Sequence, residues 1–146
     1  MIAILDEAGA RRLAALLGPD FYADTDAALG AVRARGSFNV IDKRSFLKVD
    51  VFVPPAGPMG AGQLDRRQLL EVLPGVPALP VLAPEDVVLQ KLRWYKLGGE
   101  VSDRQWRDIV AVLRQSQHGL DSQYLTSVAA GAGLGALLER AVSEAG

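Results

Sequence analysis

Cysteine is absent, which excludes disulfide frameworks, cysteine zinc sites and thiol catalysis. Histidine occurs once, at His118, so a histidine-built metal cluster is excluded and a Ser-His-Asp triad has little room. Charge of one sign is lacking too. Sixteen Lys and Arg face seventeen Asp and Glu, for a net charge of -1. The pI near 5.8 gives no global field toward nucleic acid or an anionic membrane, although a local basic patch stays open. No apolar run approaches about 18 residues, so no membrane span is expected. The first residues lack a basic stretch followed by an apolar core, so no signal peptide is expected and a cytoplasmic setting is the default. What is present is a core-forming composition: 49% hydrophobic and 23% charged over 146 residues. That suits one ordinary domain, or a small one with an appendage, and excludes a disordered tail.

Met1-Ile2-Ala3-Ile4-Leu5 reads as a short strand or the end of one. Asp6-Glu7 opens a helix with acids at its positive end, and Gly18-Pro19 stops it. A second helix is expected from Asp24 to Arg35, between an N-capping acid and Gly36. Ser37–Ile41 and Phe46–Val53 read as strands joined by the polar Asp42-Lys43-Arg44-Ser45. The Pro- and Gly-rich stretch 54–63 predicts a loop, followed by a short element over Leu64–Leu73 and a strand near Ala78–Leu82. From Pro84 the pattern turns helical. Pro84, Glu85 and Asp86 suit a first turn, and Gly98-Gly99 ends that helix. Ser102-Asp103-Arg104-Gln105 resembles a capping box for a helix to about Gln115. Two more helices follow, from Asp121 to about Ala130 and from Leu134 to Ser143. A mixed front part, 1–83, thus precedes a helical back part, 84–146, and the two are read as one compact unit.

Three residues stand out. Asp50 lies mid-strand, sharing a face with Phe46, Lys48 and Phe52, while Leu47, Val49, Val51 and Val53 take the other. A carboxylate in such a strand needs a partner, either Lys48 or a metal cation. Lys91 has Val87, Val88, Trp94 and Tyr95 as its helical neighbours. It is either a snorkelling lysine or a phosphate contact. Asp108 lies one turn after Arg104, with which it can pair weakly. Lys91 and Asp108 each sit roughly 8–11 Å from the turn between their helices, so an antiparallel hairpin would bring them level.

Other acidic patterns carry less. Asp24-Thr25-Asp26 looks like a two-carboxylate motif, but acids are expected at a helix start. Gly36-Ser37 followed by Asp50 lacks the second acid, since Phe52 stands there. His118, between two expected helices, reads as a loop residue, and Trp94 and Trp106 as core.

Two segments together carry a family resemblance. One is Phe38-Asn39-Val40-Ile41-Asp42 leading to Lys48-Val49-Asp50-Val51-Phe52-Val53. The other runs from Pro84-Glu85-Asp86-Val87-Val88-Leu89-Gln90-Lys91 through Trp94-Tyr95 to Gln105-Trp106-Arg107-Asp108-Ile109. The second resembles the Glu-Asp…Lys…Arg-Asp helical motif of AbiEii-like nucleotidyltransferase-fold proteins, which serve in toxin–antitoxin and abortive-infection systems. The resemblance spans about Phe21 to Leu138.

It implies an α+β fold: a small mixed sheet with flanking helices, nucleotidyltransferase-like, followed by a C-terminal helical lobe. Asp50 would match the third carboxylate and metal ligand. Lys91 would match the lysine that meets the triphosphate, and Asp108 the residue orienting it. The parent reaction uses Mg²⁺ and a nucleoside triphosphate to load an acceptor hydroxyl. The family's Gly-Ser turn and paired Asp-x-Asp strand are missing here, and one carboxylate does not hold two Mg²⁺ ions. The chain is therefore expected to be an incomplete or inactive member. The alternative is a non-catalytic interaction module, a toxin–antitoxin component or scaffold. Implied partners are a nucleotide, a cognate toxin or antitoxin protein, and a second copy of the chain.

Overall fold

The computed structural model describes residues 1–71, 73–116 and 119–146. The helix and strand elements run α1 (Glu7–Leu17), β1 (Phe21–Ala23), α2 (Thr25–Ala34), β2 (Ser37–Asp42), β3 (Lys48–Phe52), α3 (Pro58–Asp65), β4 (Gln68–Leu70), β5 (Leu79–Val81), α4 (Pro84–Leu97), α5 (Asp103–Ser116), α6 (Ser122–Gly131) and α7 (Gly135–Ala145). The architecture is α+β, with small sheets flanked by helices and a C-terminal helical lobe. Two compact units divide the chain, Met1–Gly60 and Ala61–Gly146. No helix among the described residues is long and apolar enough to cross a membrane.

In the first unit, β1, β2 and β3 form an antiparallel sheet in that order. Pairing puts Phe38 opposite Val51 and Val40 opposite Val49, so one face is apolar. Phe38, Val40, Val51 and Val53 pack there against Ala10, Ala28, Leu29 and Ala31 of the helices. The opposite face carries Asn39 beside Asp50, and Ile41 beside Lys48. Met1–Leu5, expected as a strand, makes a single parallel bridge from Ile2 to Phe52. The Met1 ammonium also donates to the Asp50 carbonyl at 2.7 Å.

Local chemistry sets the ends. Asp6 accepts from the Gly9 amide at 2.6 Å, and Asp24 from the amides of Asp26 and Ala27, so both act as N-caps. That assigns Asp24-Thr25-Asp26 to helix initiation. The strand expected from Phe46 begins two residues later. Asp42 closes the connecting turn by accepting from the Arg44 amide and the Ser45 hydroxyl. The turn leaves Phe46 in the left-handed region at φ 57 and outside the ladder.

The second unit is mainly helical. α4 packs on α5 and α6, and α7 on α5 and α6. Val88, Leu89 and Leu92 of α4 meet a core continued by Ile109, Leu113, Leu125, Ala129, Leu138 and Ala141. Trp106 is buried, packs tilted against Tyr95 with ring centroids 5.1 Å apart, and donates to Glu144 at 2.7 Å. β4 and β5 form a two-stranded hairpin whose Leu69, Leu70 and Leu79 are exposed.

The stretch 54–63 is not all loop, as composition suggested; α3 occupies Pro58–Asp65. Pro58 suits a first helical position, where its missing N–H costs nothing. A Cβ at position 60 would stand 1.8 Å from the Pro55 carbonyl oxygen. Glycine is what lets this helix close onto Pro54-Pro55, so the residue that read as a breaker is a packing requirement.

Candidate functional site

α4 presents two faces to chemistry. The first carries Lys91, whose ammonium lies 3.3 Å from Asp108 Oδ2 on α5. Lys91 lies seven residues before Gly98, and the pairing of α4 with α5 sets the two side chains level. Both remain in contact with water, at 35% and 53% side-chain exposure. The pair can present a cation held in a fixed direction. As a surface ion pair it contributes little to stability. Asp108 thus pairs with Lys91 across the hairpin.

Asp50 belongs to the first unit and is not part of that pair. Its carboxylate lies 3.2 Å from the Lys48 ammonium, and 45% of the side chain is exposed. One exposed carboxylate with a lysine on it does not make a two-metal centre. No group of three His, Cys, Asp or Glu residues is placed to hold a metal ion among the described residues. His118 lies outside the described residues.

The second face of α4 carries Glu85 and Asp86, which are buried. The sequence places them in a first helical turn, and the structure puts them there and buries both. Arg66, just beyond the end of α3, lies 3.2 Å from Glu85 Oε2 and 3.7 Å from Asp86 Oδ2. It also reaches Asp121, the N-cap of α6, at 3.5 Å. Glu85 Oε1 accepts from the Asp121 amide at 2.6 Å. Asp86 Oδ1 accepts from the Tyr124 hydroxyl at 2.8 Å. The Arg66 guanidinium stands 3.9 Å over the Tyr124 ring. Four side chains from α4 and from α6 with its cap thus meet around one arginine.

The environment splits the two acids. Burial works to raise the Glu85 carboxyl, but the Asp121 amide, its own amide and Arg66 outweigh it and hold the group below its ordinary value. Burial raises Asp86 above its ordinary value, and the Tyr124 hydroxyl and Arg66 do not compensate. Burial and the bond to Asp86 push the Tyr124 phenol up. Sequence reading missed Arg66, Asp121 and Tyr124 as partners. A signal existed: Glu85 continues the Val88, Leu89, Leu92 stripe of α4 at three- and four-residue spacing, so it had to face the core.

A third feature is an apolar groove of about 700 Å³ within the helical lobe, floored by Leu113, Leu125 and Leu138 and edged by Val142 and Glu139. No family model matches the chain, and neither a curated protein nor a solved structure is significantly similar to it.

Proposed function

We propose that the protein is a nucleotidyltransferase-like, cytoplasmic protein that performs no metal-dependent nucleotidyl transfer by itself. Lys91 meets the phosphates of a nucleoside triphosphate, and Asp108 orients it. The carrying observation is the 3.3 Å Lys91–Asp108 contact, which joins the two halves of the Glu-Asp…Lys…Arg-Asp motif on α4 and α5. A third of Lys91 stays open to solvent, so an anion can reach it. The lack of transfer rests on Asp50, a lone carboxylate with Lys48 on it.

Calorimetric titration with ATP and Mg²⁺ tests this reading. The wild type is expected to give heat at millimolar nucleotide without hydrolysing or transferring it. Lys91→Ala is expected to stay folded by circular dichroism and to lose that heat. A folded variant with undiminished binding removes Lys91 from the role. Absence of heat from the wild type removes nucleotide binding.

A second reading, a non-catalytic interaction module of the toxin–antitoxin or scaffold kind, is favoured by the β4–β5 hairpin. Leu69, Leu70, Leu73 and Leu79 are exposed there, at 49 to 72%. Two-stranded hairpins are marginal in water alone, and strands with apolar side chains in solvent invite a partner. Light scattering over a range of concentrations reads its simplest form, a homodimer. A dimer that Leu70→Ser dissociates supports it, and a monomer throughout removes that form.

A further inference from the structure

The turn between β2 and β3 is firmly built, yet it presents apolar side chains to water. Asp42 accepts from the Arg44 amide at 2.8 Å and from the Ser45 hydroxyl at 2.7 Å. The Phe46 amide donates to the Asp42 carbonyl at 2.8 Å, and the Asp42 amide to the Leu47 carbonyl at 2.9 Å. Lys43 ties the turn to the segment before β1: its amide donates to the Asp20 carbonyl and its ammonium to the Pro19 carbonyl. Phe46 is nevertheless 81% exposed and Leu47 65%.

Phe46 also stands where a phenylalanine is costly. At φ 57 it holds a left-handed conformation that glycine adopts freely and a bulky side chain does not. Strain of this kind is kept where the residue has a use. Burial gives the ring none, and the residue lies outside the ladder. Two more aromatic residues come to the same end of the sheet. Phe21 pairs with Asp42 and Tyr22 with Ile41, and both are exposed.

The charge around the tip is of one sign. Lys43-Arg44-Ser45-Phe46-Leu47-Lys48 holds three cations and no acid. Of the acids nearby, Asp42 is committed to the turn, Asp50 rests on Lys48, and Asp20 meets the turn through its carbonyl. Lys43 and Arg44 make no ion pair among the described residues.

We propose that this turn docks the first unit on an anionic phospholipid bilayer: Phe46 and Leu47 enter the interface, and Lys43, Arg44 and Lys48 meet the headgroup phosphates. Apolar side chains flanked by cations are what an interfacial anchor needs, since one part enters the acyl boundary while the other is drawn to anionic lipid. Aromatic rings such as Phe21 and Tyr22 settle at the headgroup level. A bilayer yields to a protruding tip and needs no matching pocket. A single nucleic-acid strand would stack on the rings but leave Leu47 in water. The attraction is local, because the chain as a whole is close to neutral. It involves neither Lys91 nor Asp108, which belong to the second unit.

Flotation of the full chain with phosphatidylcholine vesicles carrying about one-third phosphatidylserine tests this. The wild type is expected to float with them, and to bind phosphatidylcholine alone at least about tenfold more weakly. Glycine suits the left-handed turn, so Phe46→Gly should stay folded by circular dichroism and bind about tenfold less. Arg44→Ala should bind about fivefold less, with salt narrowing that difference. If Phe46→Gly does not fold, Leu47→Ser carries the same expectation. A wild type that stays off the anionic vesicles overturns the proposal. So does vesicle binding that the folded Phe46→Gly or Leu47→Ser protein keeps undiminished. Binding of a single-stranded oligonucleotide, or a dimer in light scattering, that Phe46→Gly abolishes while no vesicles are bound assigns the tip to that partner and overturns it as well.

Discussion

Arg66 makes three ion pairs within the helical unit. It links the end of α3 to the first turn of α4 and the cap of α6. Removing it strands Glu85 and Asp86 in the interior, where an unpaired charge is costly. Arg66→Met is expected to lower unfolding stability by about 3 kcal/mol in urea titration, the low end for breaking a buried pair, because water reaches part of Arg66. Arg66→Lys should recover only part of the loss, since one ammonium cannot span three carboxylates as a planar fork does. Full recovery by lysine would mean that charge alone matters there. Lys91 is a contrasting case. Its pair with Asp108 is open to water, so Lys91→Ala should shift stability by no more than about 1 kcal/mol. A larger loss would make the pair a structural brace.

At the scale of elements, helices were the most legible. α4 and α5 follow their apolar spacing, and their ends sit where Pro84, Gly98 and Ser102 place them. Ser102 accepts from the Gln105 amide at 3.3 Å, as its capping pattern implies. β2 was legible from alternation. β1 was not, because Phe21–Ala23 is too short to show a period, and its pairing with β2 is set by tertiary contact. α3 was hidden by its own glycines. Gly60 and Gly62 read as breaks but are there for close approach. The candidate site divides similarly. Lys91 and Asp108 could be brought level by counting residues from a turn. The Arg66 cluster could not, since its other members lie 19 to 58 residues further along the chain, and spacing within one helix says nothing about them.

Gly62 offers a direct test of that packing. A Cβ built there would sit 2.2 Å from the Tyr124 hydroxyl but 3.2 Å from the ring carbon bearing it. Gly62→Ala is expected to destabilise by roughly 1–3 kcal/mol through overpacking. Tyr124→Phe removes the clashing atom, so the double variant should lose less than the sum of the singles. Strict additivity would show that the two positions do not touch.

For the whole molecule, the near-neutral net charge conceals an uneven interior. Glu85 and Asp86 are buried beside one arginine and respond to pH with opposite signs. Glu85 is held below its ordinary value, so its contribution is fully present above about pH 4.3 and is lost as pH falls through the folded value. Asp86 lies above its ordinary value, so its buried charge weighs against the fold at higher pH, and that cost is relieved as pH falls. The two act in different windows, Glu85 below the ordinary carboxylate range and Asp86 above it, so their combined contribution should pass through a maximum near about pH 4. Glu85→Gln separates them. Its amide cannot take the charge-assisted bonds from Arg66 and the Asp121 amide, so the variant should be less stable than wild type near neutral pH. The deficit should shrink steadily as pH falls below the ordinary glutamate range, because the wild type is then losing the same charge. Urea unfolding midpoints of both proteins across that range measure it. A deficit that stays constant with pH would place the contribution of Glu85 in its shape and not in its ionisation.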